Sequence, residues 1–575
     1  MEFTYKKSDN SELFSNITGK DKMDITNPQN YIPIYTMFFN MSETNADKIN
    51  LNNQLTLSEI KTMTSHNSCN AIVLDKHDNT CNKDIFFKYS PLLDPTKYMT
   101  GKYDCSDNSF LDLPKYGIKS GHAKTNDPNN AAYVDSFFTY LSSQLLHNHK
   151  LLHSLDFYGS FLGQKNDFQV NIADEVEYLN DSEFFHKNRG SLFSVDNNFA
   201  NERFNFNTRN NKDRIKLSGS LEDASVLQLS DIADIAQLDS IFITNSETID
   251  SSGADLLFSC DLSGNKSRKS NVSSDSCSSR SSDTENDDSE DEDEDEDEDD
   301  DAEESNDDTN SSDYSTASED ILIANIKRFP VQVIAMEKCE ETLDSLIVEK
   351  EDELTDKEWG SMITQIIMSL LAYQKCFSFT HNDLHTNNIM YVTTPKQYLY
   401  YKFDGKHYKV PTFGRLYKII DFGRAIYKFR GNVICSDSYH PKGDAATQYN
   451  FEPYFNEKKP RLEPNTSFDL CRLGCSLYDF VIDEIEENPK SPQTAAKRLI
   501  IEWCKDDKDR NIVYKNNGEE RYPDFKLYKM IARTVHKHSP RDVIQQSYFN
   551  RYIIGKKKIG KNAKIMNIDN LPDYT

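Results

Sequence analysis

Apolar residues recur at helical spacing in two long stretches of the chain. In residues 361–377, isoleucine and leucine stand three, four, seven and eight positions apart, which predicts a helix packed along one side. Residues 133–149 show the same spacing and predict a second such helix. Shorter apolar runs at 389–392 and 417–420 predict strands. Residues 397–410 alternate around a central Asp-Gly pair, which predicts a β-hairpin added to the surrounding fold.

The pattern breaks down between residues 171 and 325, where Ser, Asn and Asp dominate. The part from 267 to 320 is low in complexity and cannot bury enough apolar surface to offset its chain entropy, so it is predicted to be disordered. Apolar and aromatic residues become dense again from Arg328 onwards. The segment therefore interrupts a folded unit, which is tolerable because loop-closure entropy grows only logarithmically with length.

Composition and charge separate one acidic run from the rest of the chain. The chain has 575 residues, of which 37% are hydrophobic, and a net charge of −28. Residues 283–308 hold twenty acids and no base, so the remainder carries only −8. This distribution argues against nucleic acid as the main ligand. The sequence shows neither an apolar run of membrane-spanning length nor an amino-terminal signal core, which argues against a membrane or Sec-exported protein.

The chain has 11 cysteines, an odd number, without the paired spacing of a zinc site. They predict reduced thiols, mostly small buried apolar residues, in a cytosol-like compartment.

Three oxygen-bearing side chains lie beside predicted strands. Asp383 and Asn388 stand five residues apart on a polar loop, and Asp421 ends a short strand and is followed by Phe and Gly. Phosphoryl transfer needs a carboxylate that orients the attacking hydroxyl and accepts its proton, and hard oxygen ligands that hold Mg²⁺ on the phosphates. Asp and Asn also make ordinary loops. The two segments in this order favour Asp383 as the base and Asn388 and Asp421 as metal ligands.

These residues resemble the motifs of a known family. HNDLHTNN resembles the H-R-D-L-x-x-x-N catalytic loop of protein kinases, and IIDFG resembles their D-F-G strand. The overall resemblance is best to serine/threonine protein kinases of giant DNA viruses and covers about residues 31–168 and 328–548. It implies an α+β, two-lobed protein-kinase-like fold with ATP between the lobes and a long, disordered acidic insertion in the N-lobe.

The resemblance also implies roles for residues outside the catalytic loop. VQVIAMEKC resembles the last N-lobe strand and hinge, where Met336 would be the gatekeeper. The carbonyl of Glu337 and the N–H of Cys339 would then hydrogen-bond the adenine edge. In SFDLCRLG, Asp469 and Gly474 resemble the helix Asp and Gly of the family, of which the Asp braces the catalytic-loop backbone.

Lys88 follows an apolar run and resembles the strand lysine that holds the α- and β-phosphates. In the family, the helix that follows supplies a Glu that pairs with this lysine. The helix predicted at 133–149 has no Glu; Asp135 is its only acid and Gln144 is the other polar candidate. Asp135 is either a surface residue of the first turn or the partner of Lys88, and the sequence leaves both open.

The chain also departs from the family at several positions. No G-x-G-x-x-G precedes Lys88, and the corresponding turn lies near residues 65–70. Asn382 replaces the Arg that reads an activation-loop phosphate, which implies activity independent of such phosphorylation. His385 replaces a common Lys and carries less positive charge at pH 7. An A-P-E sequence is missing.

The resemblance divides the chain into several units. They are a flexible arm (1–30), the first part of the N-lobe (31–170), the insertion (171–325), the last N-lobe strand and hinge (326–340), a C-lobe (341–550) and a basic tail (551–575).

The implied function is transfer of the γ-phosphate of Mg²⁺-bound ATP to Ser or Thr hydroxyls of a protein substrate. Two alternatives stay open. The missing glycine loop and helix Glu are typical of a weak or inactive pseudokinase scaffold, and the H-x-D-L-H-x-x-N form also occurs in kinase-like enzymes that phosphorylate small molecules. The acidic insertion is a solvated spacer, a docking arm for a basic protein partner, or a substrate for acid-directed kinases, because residues 279–289 carry many hydroxyls near acids. The expected compartment is the cytoplasm, or the host cytoplasm or virion if the protein is viral.

Overall fold

A computed structural model of the chain describes residues 3–104, 109–118, 120–195, 322–350, 353–482 and 494–575. These residues form a mixed α+β structure with several β-sheets. The low-complexity segment at 267–320 and its acidic run lie outside the described residues.

The strands pair mainly in antiparallel fashion. They are β1 (Tyr5–Lys7), β2 (Ile25–Gln29), β3 (Ile49–Leu51), β4 (Leu55–Ser65), β5 (Ser68–Asp75), β6 (Thr80–Pro91), β7 (Phe157–Lys165), β8 (Phe168–Asn171), β9 (Phe193–Val195), β10 (Ile323–Ile326), β11 (Phe329–Glu337), β12 (Ile389–Thr393), β13 (Tyr398–Phe403), β14 (Lys406–Pro411), β15 (Arg415–Ile419), β16 (Ile426–Phe429), β17 (Asn432–Cys435), β18 (Ile553–Ile554) and β19 (Ile565–Asn567).

The helices lie between and after these strands. They are α1 (Ser11–Ile17), α2 (Pro95–Met99), α3 (Ala123–Asn126), α4 (Ala131–His149), α5 (Val176–Asn180), α6 (Glu183–Asn188), α7 (Leu343–Glu349), α8 (Asp356–Phe377), α9 (Phe468–Val481), α10 (Ala495–Trp503), α11 (Lys526–Thr534) and α12 (Pro540–Val543).

The largest sheet has the strand order β2-β7-β11-β6-β5-β4. Strand β6 lies between β5 and β11, and the β11 register places Lys88 opposite Ile334. Strand β11 pairs with residues 85–91 of β6, whereas β5 pairs with residues 80–86, so the backbone at Lys88 is fixed by its pairing with β11. The sheet therefore gives Lys88 a rigid base from which its side chain extends.

Helix α4 confirms the helix predicted at 133–149 and begins two residues earlier. Asn130 caps it, because its side chain accepts a hydrogen bond from the N–H of Ala132. Such a cap stabilises a helix by about 1 kcal/mol. Most of α4 is buried, including Asp135, because sheet strands and helices pack around it.

Helix α8 confirms the helix predicted at 361–377 and is buried along most of its length. It begins with a capping box, in which Thr355 and Glu358 each bind the backbone N–H of the other. It ends at Phe377, and the next residue, Ser378, has a φ of 48° that turns the chain into the loop that carries Asp383. The capped helix thereby fixes where that loop begins.

The predicted hairpin is confirmed as β13 and β14. Asp404 and Gly405 both have positive φ, 50° and 69°, as a two-residue type I′ turn requires. Strands β18 and β19 extend the hairpin into a four-stranded sheet. Residues 551–575, expected to be a basic tail, therefore pack against the fold, and the Lys556–Lys558 turn stays exposed.

The amino-terminal segment is packed, which differs from the expected flexible arm. Phe3 lies in an aromatic cluster, with ring centroids 5.7 Å from Phe137 and 5.1 Å from Phe429. Ile17 is buried in the same core cluster as the six-stranded sheet, and Ile25 is buried within that sheet, in β2. Both ends of the predicted insertion are also structured, since β8, β10 and β9 form a three-stranded sheet.

In the part of the chain that the structure describes, no helix has the length and apolar content that crossing a bilayer requires. The eight cysteines in these ranges are free thiols.

Candidate active site

Lys88 is held between two carboxylates that come from distant parts of the chain. Its ammonium nitrogen lies 2.7 Å from Oδ2 of Asp135 and 2.8 Å from Oδ1 of Asp421. Asp135 is therefore the partner of Lys88, which settles the alternative that the sequence left open. Gln144 lies on the same helix, and its side-chain oxygen accepts a hydrogen bond from Asn148.

Asp421 is the third residue of this cluster, and the residue that follows it contacts α4. Asp421 follows β15 with a φ of 60°, in the left-handed region that an aspartate seldom adopts. The next residue, Phe422, is fully buried, and its ring centroid lies 4.7 Å from that of Phe138 in α4. The N–H of Phe422 also donates to Oδ1 of Asp135 at 3.0 Å. Asp135 thus binds both Lys88 and the backbone beside Asp421.

Burial and ion pairing shift the pKa values of these three groups in opposite directions. Burial alone would lower the pKa of Lys88, but the charges of Asp135 and Asp421 outweigh it and raise that pKa. Burial raises the pKa of Asp135, although Lys88 opposes this. Burial would also raise the pKa of Asp421, yet the adjacent Lys88 charge holds it at about 2. The Asp421 carboxylate is therefore ionised at neutral pH.

A buried aspartate braces the loop that carries Asp383. The oxygens of Asp469, in α9, accept hydrogen bonds from the N–H groups of His381 and Asn382 at 2.9–3.0 Å. This is the bracing that the resemblance implied for Asp469. Asn382 has a φ of 65°, and its side-chain oxygen accepts a bond from the hydroxyl of Tyr449 at 2.7 Å. An uncharged amide thus holds the backbone immediately before Asp383.

Asp383 faces a set of donors and cations. Oδ1 accepts a hydrogen bond from the hydroxyl of Tyr528 at 2.7 Å, and Nε of Arg472 donates to the same hydroxyl at 3.0 Å. Nε of Arg424 lies 4.0 Å from Oδ2. Burial would raise the pKa of Asp383, but nearby positive charges, that of Arg424 first, and the Tyr528 hydrogen bond outweigh it and lower that pKa. Asp383 is therefore an ionised carboxylate at neutral pH.

Asn388 and His385 lie at the end of the same loop. The side-chain nitrogen of Asn388 donates to the carbonyl of Asp383 at 2.9 Å and contacts Nε2 of His385 at 3.0 Å. Neither bond uses the side-chain oxygen of Asn388. Burial lowers the pKa of His385 to about 4, so its imidazole is neutral at physiological pH. The loop therefore carries no cation at position 385.

A cleft of about 1030 Å³ brings four of these side chains together. Lys88, Asp135, Asp383 and Asp421 all line it, and Asn388 is buried beside Asp383. The side chain of Asp421 is 45% exposed, so the carboxylate faces the open space. The volume is at the upper end of what ligand sites use. Residues separated widely along the chain therefore share one accessible site.

The structure does not bring the three hinge candidates into this cleft. None of the described residues that line it is Met336, Glu337 or Cys339, which lie at the end of β11 and just beyond it. Glu337 forms an ion pair with Lys418 at 2.6 Å. Met336 and Cys339 are buried, and burial raises the pKa of Cys339 to about 12.

The hairpin above Lys88 has no glycine at its tip. Strand β4 ends at Ser65 and β5 begins at Ser68, so His66 and Asn67 form the turn. The carbonyl of Asn67 accepts a hydrogen bond from the N–H of Phe87 at 2.7 Å. The tip therefore lies next to Lys88, as the resemblance to kinases implied, but both of its turn residues carry side chains.

Sequence reasoning missed the residues that surround Asp383. Tyr528 is 145 residues further along the chain, in a helix whose sequence shows no motif. Arg472 belongs to SFDLCRLG, in which only Asp469 and Gly474 were singled out. Arg424 directly follows the D-F-G sequence and offered the one available signal, because a cation beside two candidate carboxylates is an evident partner.

Replacing Tyr528 with phenylalanine should shift the pH dependence of the proposed phosphoryl transfer. The change removes the hydroxyl that donates to Asp383, and this bond contributes to the low pKa of that carboxyl. The pKa of Asp383 should rise, so the acid limb of kcat/KM should move to higher pH. The measurement is the pH profile of kcat/KM for wild type and Tyr528→Phe.

Tyr514→Phe is a matched control, because the Tyr514 hydroxyl donates to Oδ1 of Asp479 at 2.8 Å and neither residue lines the cleft. Its profile should coincide with that of wild type. Coinciding profiles for Tyr528→Phe and wild type would contradict the prediction.

Comparison with known proteins gives partial similarities. No protein-family model matches the chain. The chain is 33% identical over 105 residues to a probable serine/threonine-protein kinase of Dictyostelium discoideum, an alignment that spans 17% of this chain and 8% of that protein. It is 23% identical over 202 residues to an uncharacterized protein of Invertebrate iridescent virus 6, across 34% of this chain and 30% of that protein. The chain thus covers less than a third of either relative.

Proposed function

We propose that this protein is an ATP-dependent protein kinase that transfers the γ-phosphoryl group to Ser or Thr hydroxyls. The observation that carries the proposal is the Lys88 ammonium, held between Asp135 and Asp421 in a cleft that Asp383 also lines. A cation for phosphates, an ionised carboxylate for a metal and a second carboxylate for the acceptor are the parts that phosphoryl transfer needs. The partial similarity to a probable serine/threonine-protein kinase supports the same class.

The architecture supports a two-lobed protein-kinase-like fold. An antiparallel sheet carries Lys88, a single long helix beside it carries Asp135, and the loops with Asp383 and Asp421 lie between later helices and strands. In this fold the cleft would separate the sheet from the helical part of the chain. The substrate ATP would occupy that cleft with its phosphates toward Lys88.

Asp383 would act on the acceptor hydroxyl. As an ionised carboxylate it can accept a hydrogen bond from a serine or threonine hydroxyl and take its proton while the oxygen attacks the γ-phosphorus. Oδ1 already accepts a hydrogen bond from Tyr528, and Nε of Arg424 lies 4.0 Å from Oδ2, so Oδ2 would receive the acceptor hydroxyl beside this arginine. The contribution of these residues is position and charge, and no covalent intermediate is required.

The donor set fits Mg²⁺. Asp421 offers an ionised carboxylate that faces the cleft, and Asn388 offers an amide oxygen that neither of its side-chain bonds uses. Oxygen donors of these two kinds are those that Mg²⁺ accepts alongside substrate phosphates. When bound, the ion would neutralise phosphate charge. Asn388 is held rigidly by its bond to the Asp383 carbonyl, which links the metal site to the base.

A catalytically weak scaffold is the second candidate. Two observations favour it: the His66-Asn67 turn lacks the glycine that lets backbone approach phosphates closely, and neutral His385 supplies no charge to the transferred group. Such a protein would bind nucleotide in the same cleft without measurable turnover.

The deciding experiment is transfer of radiolabelled phosphate from ATP to generic protein substrates and to small alcohols, with Asp421→Asn as control. The proposal expects label on Ser or Thr of the proteins, dependent on Mg²⁺ and absent in the control. Label on the alcohols alone would indicate a small-molecule phosphotransferase. Nucleotide binding without any transfer would indicate the scaffold.

A further inference from the structure

Asp437 is a buried carboxylate with no part in the chemistry described above. It begins a single turn of 3₁₀ helix, Asp437–Tyr439, after β17, and its side chain is 6% exposed. Oδ1 accepts a hydrogen bond from the N–H of Ala131 at 3.0 Å, and Oδ2 lies 2.5 Å from the ammonium of Lys124. Its own N–H donates to the carbonyl of Asn129 at 2.7 Å. Asp437 thus connects its own segment to residues 124–131 through two hydrogen bonds and an ion pair.

These contacts hold the beginning of α4. Ala131 is the first residue of that helix, and Asp135, the partner of Lys88, lies one turn later. The segment after Asp421 forms two further hydrogen bonds to this turn. The N–H of Phe422 donates to Asp135, and the hydroxyl of Tyr427 donates to the carbonyl of Val134 at 2.9 Å. A displacement of Ala131 would therefore move Asp135.

A carboxylate suits this position physically. The first N–H groups of a helix have no partner within it, and a negative charge there interacts favourably with the helix dipole. Asn130 satisfies the N–H of Ala132, and Asp437 satisfies that of Ala131. Burial raises the pKa of Asp437, and the Lys124 charge opposes this. The pair with Lys124 therefore compensates the carboxylate for its loss of water.

We propose that Asp437 is a positioning residue of the candidate active site, which holds the first turn of α4 where Asp135 can pair with Lys88. The inference rests on the proposed function for its kinetic test, whereas a second, structural test is independent of catalysis.

The test compares Asp437→Asn and Asp437→Ala with wild type in the full-length protein. Misplacing a catalytic group by about 1 Å can cost on the order of 100-fold in rate, so kcat should fall by about that factor in Asp437→Ala, with KM for the protein substrate unchanged. Lys124→Gln should have a smaller effect, because the bond from Ala131 persists. Hydrogen exchange of peptides covering 131–138 and 420–424 should accelerate, since the Phe422 amide reports where Asp135 lies.

Asp569→Asn is the matched control. Asp569 also binds two backbone N–H groups, those of Asp404 and Gly405 at 2.7 and 3.1 Å, and a lysine, Lys402, at 3.4 Å. It lies in the hairpin sheet and does not line the cleft. Its substitution should leave kcat and exchange at 420–424 at wild-type values.

The outcomes separate this inference from the proposed function. If wild type transfers no phosphate, the proposed function fails, and exchange alone decides: faster exchange at 420–424 in Asp437→Asn supports the positioning role, and unchanged exchange overturns it. If wild type is active, unchanged kcat in both Asp437 variants overturns the role. A lower kcat with unchanged exchange at 420–424 also overturns it. If Asp437→Ala does not fold, Asp437→Asn, which keeps the volume, and Lys124→Gln carry the test.

Discussion

Replacing Asp383 with asparagine is expected to reduce phosphoryl transfer by about 10²–10⁴-fold, the usual contribution of a general base. The substitution removes the charge and the proton acceptor but keeps the volume and an oxygen for the Tyr528 hydroxyl. The loop should therefore stay in place, because Asp469 still binds the N–H groups of His381 and Asn382. The loss should fall on kcat, with nucleotide affinity unchanged.

Steady-state kinetics with ATP and a protein substrate, together with a separate nucleotide titration, measure this effect. Asp506→Asn is a suitable control, because Asp506, like Asp383, lies beside an arginine, Arg510 at 3.0 Å, and it does not line the cleft. Wild-type turnover in Asp383→Asn would rule out Asp383 as the base.

Replacing Lys88 with methionine should affect both activity and stability. The change removes the cation proposed to hold the phosphates, and loss of one such electrostatic contact commonly costs about 10²–10³-fold in rate. It also leaves Asp135, whose side chain is 3% exposed, without its ion-pair partner. Breaking a fully buried pair costs about 3–5 kcal/mol. Because Lys88 is 27% exposed, we expect about 2–3 kcal/mol of unfolding free energy to be lost.

Denaturant unfolding and transfer assays on the same samples measure the two effects. The double variant Lys88→Met/Asp135→Asn should lose less unfolding free energy than the sum of the losses in the two single variants. The reason is that Asp135→Asn removes the buried charge that Lys88→Met leaves unpaired. Lys165→Met is the control, since Lys165 is buried in the same sheet and donates to the carbonyl of Met23 at 2.9 Å. Full transfer activity in Lys88→Met would refute the phosphate-binding role of Lys88.

The sequence predicted the elements whose signals are local. Helix α8 and the β13–β14 hairpin follow from apolar spacing and an Asp-Gly turn, and both are where the pattern placed them. Asp383 and Asp421 were found for the same reason, because each stands in a short motif beside a predicted strand. Both side chains line the same cleft.

The contacts between distant segments could not be predicted in this way. Helix α4 is buried almost all round, so its spacing does not show which face carries the partner of Lys88, and Asp135 could equally have been read as a surface residue of the first turn. Tyr528 reaches Asp383 only through the packing of α11 against α9. Phe3 gave no periodic signal, since its ring fits among aromatic residues from several separate segments.

Helix α4 also contacts residues near both limits of the described chain. The ring of Phe3 packs against Phe137, and the hydroxyl of Tyr574 lies 2.9 Å from Nε2 of His149. Contacts at such large sequence separation form late in folding, because the loop-closure entropy must be lost before they can contribute. During synthesis on the ribosome, this helix can complete its packing only after residue 574 has emerged. A nascent chain lacking that residue would lack this contact at His149, where the helix ends.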